Sequence, residues 1–193
     1  MKYQKIESIN DMVRKGLPVH EFVICSTYDE IISAVKKFNH YCTIRTDEPS
    51  RSKDLPFIVI TSPECIKNIP SIIGNTERRY IVTNGLKYDN HLLYNMVYHM
   101  DMDGTFSCEF STENVPLRKM YQHPQFLTNI SGNINDNIRD FDVLWGTSRI
   151  DLRLIKDRMI TLYEHYIYDR YAEIAVYKCD LDNTKKDYVF WQI

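Results

Sequence analysis

The sequence predicts an α+β fold with a mostly antiparallel sheet and packed helices. Three observations carry that expectation. Helical periodicity is confined to a few stretches, the clearest being Leu152, Ile155, Met159, Leu162, Tyr163 and Tyr166. Residues 95–111, around Asp103-Gly104, and residues 173–193, around a turn at 182–185, read as antiparallel hairpins. Single strands and helices do not alternate, which argues against a doubly wound parallel sheet.

The elements follow in order. Ile6, Ile9, Met12 and Val13 share a face and predict a helix over 6–15; Gly16 stops it and Pro18 forbids its continuation. Residues 21–25 read as a strand. Ser26 or Thr27 caps the next helix, with Glu30 near the capping-box position and Ile31, Ile32, Val35 and Phe38 on its apolar face. Strands over 41–46 and 56–61 flank a polar loop at 47–54. Pro70 interrupts a helix over 63–73, and 80–83 is a strand. Residues 121–137, with repeated Asn, Gly and Pro, read as the main loop, dividing a single domain, 1–193, into two lobes. A strand over 140–145 follows. Ser148 caps the long helix and Asp151 completes its box; the stripe from Leu152 to Tyr166 is expected in the core.

Composition narrows the function classes. The 193 residues are 44% hydrophobic and 26% charged, enough for a core without disulfides or metals. With 24 basic and 26 acidic residues the net charge is −2, so nothing draws the chain to nucleic acid or an anionic membrane. Arg78-Arg79 and Arg51-Ser52-Lys53 are the densest basic clusters and read as solvated surface. No apolar run is long enough to span a membrane and the N-terminus is amphipathic, so a cytoplasmic protein without a signal peptide is expected. Five cysteines without a C-x-x-C pair read as free thiols of a reducing compartment. Neither a dinucleotide-binding G-x-G-x-x-G nor a P-loop is present.

Chemistry centres on the early strands. Arg45 closes the strand Thr43-Ile44-Arg45-Thr46, where its fork suits phosphate oxygens; the alternative is a salt bridge to Asp47 or Glu48. Lys5 precedes the first helix.

Four segments carry a resemblance: Lys5 to Met12, Gly16-Leu17-Pro18-Val19, Phe22, and Thr43-Ile44-Arg45-Thr46. Together, over the first quarter of the chain, they resemble the nucleotide-binding domain of the phosphoenolpyruvate synthase and pyruvate phosphate dikinase family. Ile6, His20 and Thr46 depart from its pattern, which has Gly, Pro and Ser there. The resemblance implies a compact ATP-grasp-like fold in which two lobes clasp Mg-ATP. Lys5 and Arg45 would then contact the nucleotide phosphates, with ATP and Mg²⁺ as cofactors and phosphoryl transfer or an acyl phosphate as the chemistry. It also calls for late-strand carboxylates on magnesium, for which Glu109 and Asp180 are the candidates, beside Asp182; Gln192 stands where a carboxylate is hoped for. No catalytic residue identifies itself. The rival expectation is a non-catalytic protein-interaction module, with Tyr168, Tyr171 and Tyr177 at a partner or homo-oligomer interface. The expected partners are thus a nucleotide and an unidentified small molecule or protein, with neither membrane nor nucleic acid.

Overall fold

The computed structural model describes residues 3–49, 55–74, 76–111, 127–144 and 152–192. It divides into two compact units, Met1–Asn90 with Leu181–Thr184, and His91–Asp180 with Lys185–Ile193.

The first unit begins with α1 (Gln4–Arg14), which buries Ile9 and Met12 and leaves Val13 about half exposed, outside the apolar face expected for it. Tyr3 at its N-cap offers no side-chain bond. The cap comes instead from 41 residues away, where the buried Asp47 carboxylate accepts the Ile6 N–H at 2.9 Å. A carboxylate there also meets the positive end of the helix dipole. Gly16, at φ +69°, ends the helix, with the Gly16 and Leu17 N–H groups bonded to the Val13 and Met12 carbonyls. Nothing crowds a Cβ at Gly16, so Gly16→Ala tests backbone conformation alone. The expected cost is about 1 kcal/mol, read as a lower urea midpoint at constant m; an unchanged midpoint would remove the left-handed requirement.

Four strands follow: β1 (Phe22–Cys25), β2 (Cys42–Asp47), β3 (Phe57–Ile60) and β4 (Arg79–Thr83). They form an antiparallel sheet in the order β1-β4-β2-β3. Between β1 and β2 lies α2 (Tyr28–Lys37), opened by the expected box: the Thr27 hydroxyl accepts the Glu30 N–H, and the Glu30 carboxylate accepts those of Ser26 and Thr27. Residues Pro63–Ile72 are a 3₁₀ helix that contains Pro70 rather than breaking there. Proline excludes an i→i−4 ladder, and the tighter helix accommodates it.

Strand alternation sorts the two faces of this sheet. Cys42 and Ile44 of β2, Ile60 of β3, and Tyr80 and Val82 of β4 join Ile31 and Val35 of α2 in one core. Thr43, Arg45 and Asp47 point to the other face, abreast of Thr83, Ile81 and Arg79 of β4.

The second unit is built on six antiparallel strands: β5 (Leu92–Met100), β6 (Thr105–Ser111), β7 (Leu127–Asn133), β8 (Asp142–Leu144), β9 (Arg170–Tyr177) and β10 (Tyr188–Gln192). Their order is β10-β9-β5-β6-β7-β8. The β5–β6 hairpin turns through Gly104 at φ +85°, as Asp103-Gly104 predicts. Residues 127–133, expected within a loop, are a strand. Thr128, Ile130 and Gly132 stand abreast of Phe110, Cys108 and Phe106, while Asn and Ser occupy the other face. Gly132 lies under Phe141, where a Cβ would come within 2.6 Å of the ring. A glycine on the inward face and polar residues on the outward one hide the alternation that marks a strand. Residues 121–126 lie outside the described residues, as do Ser148 and Asp151, the expected cap of the long helix.

That helix, α3 (Leu152–Glu164), buries Ile155, Met159 and Leu162 completely. Tyr166, expected in the same stripe, lies past its end and is 70% exposed. Tyr177, expected at an interface, is buried, whereas Tyr171 is exposed. All five cysteines are free thiols. Among the described residues no helix is long and apolar enough to cross a membrane.

Candidate functional site

Lys5 sits in the first turn of α1 and Arg45 near the end of β2; the Asp47–Ile6 bond joins these two places. The Lys5 ammonium donates to the Thr46 carbonyl at 2.8 Å. Burial first, and then the neighbouring Arg45 charge, hold Lys5 below the usual lysine range, while Asp47 and Glu48 pull the other way. The two sequence-predicted cations are therefore close enough to repel.

Each nearby acid has a structural partner. Asp47 takes the Ile6 N–H, and burial pushes its carboxyl above the usual range against that bond and the Lys5 charge. Glu48 pairs with the Arg78 guanidinium, whose Nη1 also donates to the Ile72 carbonyl at 2.7 Å. Arg78 is thus not the solvated surface residue its sequence context predicts; the pair's side chains are only 16% and 14% exposed. Arg45 stands on the sheet face away from α2, abreast of Ile81 and of Phe57, which is half exposed. A phosphate placed between Lys5 and Arg45 would offset their mutual repulsion.

The late-strand acids lie in the second unit. Glu109 of β6 is abreast of Val97 of β5, and Glu173 of β9 is abreast of Val97 on its other side, so the two glutamates flank Val97 on one sheet face. Asn129 of β7 is abreast of Glu109, and its buried Oδ1 has no hydrogen-bond partner. Asp180 is elsewhere: it is exposed, past the end of β9, where Lys178 pairs with His91. Six residues of β5 separate that level from Val97, roughly 20 Å of strand, so one ion cannot take both Glu109 and Asp180. Glu173 escaped the sequence reading, although the alternation of Ala172, Ile174 and Val176 with Tyr171, Glu173 and Ala175 marks its face. Asp182, in the first unit, pairs with Lys87. Among the described residues no group of three or more His, Cys, Asp or Glu could cage a metal. Glu109 and Glu173 fit a less demanding ion, one that takes one or two carboxylates and completes its shell with phosphate and water, as Mg²⁺ does.

No protein-family model and no curated protein matches the chain. Solved structures do. The N5-carboxyaminoimidazole synthetase of Staphylococcus aureus, complexed with ADP, matches over 97% of this chain and 43% of its own, at TM-score 0.56 and 9% identity. ACD1 of Ca. Korarchaeum cryptofilum, in complex with coenzyme A, matches over 96% of this chain and 90% of its own, at TM-score 0.54 and 12% identity. The D-alanine–D-alanine ligase of Helicobacter pylori matches over 91% and 50%, at TM-score 0.56 and 10% identity. The chain spans about half the length of this synthetase and of this ligase. These likenesses extend over nearly the whole chain and concern its fold, which is α+β and ATP-grasp-like.

Proposed function

We propose that the chain binds a nucleoside triphosphate through its phosphates, which Lys5 and Arg45 hold. The observation that carries this reading is the proximity of the two cations, with Lys5 held below its usual range partly by Arg45. Support comes from the ATP-grasp-like fold and from the ADP in the Staphylococcus aureus neighbour. The resemblance of residues 5–22 to the phosphoenolpyruvate synthase family selects the same lysine. Within the second unit, Glu109, with Glu173 beside it, is the pair that would hold magnesium. Asp180 has no part in this reading. Phosphoryl transfer, in a cytoplasmic enzyme, is the reaction that this reading carries, to an acceptor that is unidentified. A basic surface for nucleic acid is no part of the reading either, at a net charge of −2.

Calorimetric titration with ATP, ADP and AMP, with and without Mg²⁺, tests it. Affinity is expected to rise with phosphate number. A folded Lys5→Ala/Arg45→Ala variant should lose at least about a hundredfold, since each charge-assisted bond contributes roughly 1.5–3 kcal/mol. Equal affinity in the variant, or no binding at millimolar ATP, would sink the assignment. Glu109→Gln should weaken binding of Mg²⁺ titrated alone, and unchanged Mg²⁺ affinity would remove Glu109 from the reading.

A further inference from the structure

Helix α3 closes through Tyr166, which sits in the left-handed region at φ +57°. The Tyr166 N–H bonds the Tyr163 carbonyl at 3.0 Å, and the Ile167 N–H bonds that of Leu162 at 3.1 Å. Glycine is the residue that closes a helix this way without strain; a bulky aromatic is an outlier there. The strained residue also gives little to the core, because Tyr166 is 70% exposed. Such a residue points to a role outside folding.

Its surroundings suggest which. The Tyr168 ring lies 6.3 Å from Tyr166 and 5.9 Å from Tyr163, tilted by 70° and 45°. The Tyr163 hydroxyl donates to the Met102 carbonyl at 3.1 Å, and the Asp169 N–H to that of Met100 at 2.7 Å. The cluster is thereby joined to the β5–β6 turn, where Met102 is exposed, and Tyr171 stands exposed against His99 nearby. Residues 101–104 and 163–170 hold four acids, Asp101, Asp103, Glu164 and Asp169, against one arginine, Arg170, which is abreast of Met100; Asp101 also lies 3.5 Å from the His99 Nδ1. All four acids are exposed, and the Thr105 N–H keeps Asp103 ionised by lowering its carboxyl. The exposed ring surface of Tyr166 and Tyr171, rimmed by carboxylates, complements a guanidinium or ammonium group. Nucleic acid could stack on tyrosine too, but four carboxylates oppose its phosphates.

We propose that this tyrosine cluster, at the α3–β9 end of the second unit, docks an arginine- or lysine-bearing segment of a partner protein. The inference is independent of nucleotide binding in the first unit. The probe is a fluorescein-labelled eight-residue peptide (design length) of alternating Arg and Ser, titrated by anisotropy with the full chain, beside a Glu-Ser control. Saturable binding of the Arg peptide alone is expected, weakening with salt. Tyr166→Gly should weaken it roughly tenfold and yet leave the thermal midpoint unchanged or about 2 °C higher, because glycine relieves the strain. Asp101→Asn/Asp169→Asn should flatten the salt dependence. The proposal is overturned by no binding of the Arg peptide, by equal binding of the Glu peptide, or by wild-type affinity in Tyr166→Gly. It is overturned equally if Tyr166→Gly instead dissociates a dimer or abolishes binding of an oligonucleotide.

Discussion

Arg78→Ala is expected to destabilise the first unit by about 3 kcal/mol, lowering the thermal midpoint by on the order of 10 °C. The guanidinium serves two acceptors in a largely buried place, the Glu48 carboxylate and the Ile72 carbonyl at 2.7 Å. Truncation leaves Glu48, 14% exposed, with its charge uncompensated, and a carboxylate in that state costs more than the pair itself contributes. The double variant Arg78→Met/Glu48→Gln removes both charges and should recover much of the loss. A thermal or denaturant series over the wild type, Arg78→Met, Glu48→Gln and the double variant closes a cycle that measures the coupling. If Arg78→Ala and the double variant are equally unstable, the pair does not act as a charge pair and the loss is one of packing. The consequence reaches the candidate site, because Glu48 lies next to Asp47, and both acids influence Lys5.

Acid should destabilise the protein through His20 well before its carboxylates titrate. His20 is buried, stacked on Tyr88 with ring centroids 5.7 Å apart, and burial pushes its imidazole down to about 3. In the unfolded chain the group titrates near 6.5. Below that pH the unfolded state takes up a proton that the folded state refuses, so stability falls as pH falls from about 6.5 towards 3. The slope approaches about 1.4 kcal/mol per pH unit, and the loss between pH 7 and 5 is roughly 2 kcal/mol. Urea denaturation at both pH values, on the wild type and on His20→Phe, isolates the effect from the other histidines. The variant, which keeps an aromatic ring against Tyr88, should lose about 2 kcal/mol less over that interval. Equal losses would show that His20 is protonated in the folded state or that the site opens before it titrates.

The elements legible in the sequence were those whose signals lie within a few residues. Thr27 and Glu30 close a capping box three residues apart, Gly16 ends a helix through its own φ, and Asp103-Gly104 turns a hairpin. Each is a hydrogen bond or a torsion that the local chain settles for itself, so the α+β character followed from them. The stripe of α3 was legible for the same reason as far as Leu162, and it failed at Tyr166, where the helix had already closed.

What the sequence did not disclose depends on residues brought together from afar. Lys5 and Arg45 were singled out one by one, through a resemblance, but their mutual repulsion exists only because α1 meets the end of β2. The N-terminal cap of α1 is Asp47, and the partner of Arg78 is Glu48, 30 residues away; neither spacing has a signature. Glu173 replaces Asp180 beside Glu109 because strand register, not proximity in sequence, chooses which carboxylates share a face. By itself, then, the sequence determined the elements with local signals, though not the strand at 127–133, and the kinds of side chain available for phosphate and metal chemistry. Tertiary structure alone decided which charges were buried together and which were neutralised, because burial and Coulomb energies depend on distances that pairing and packing set.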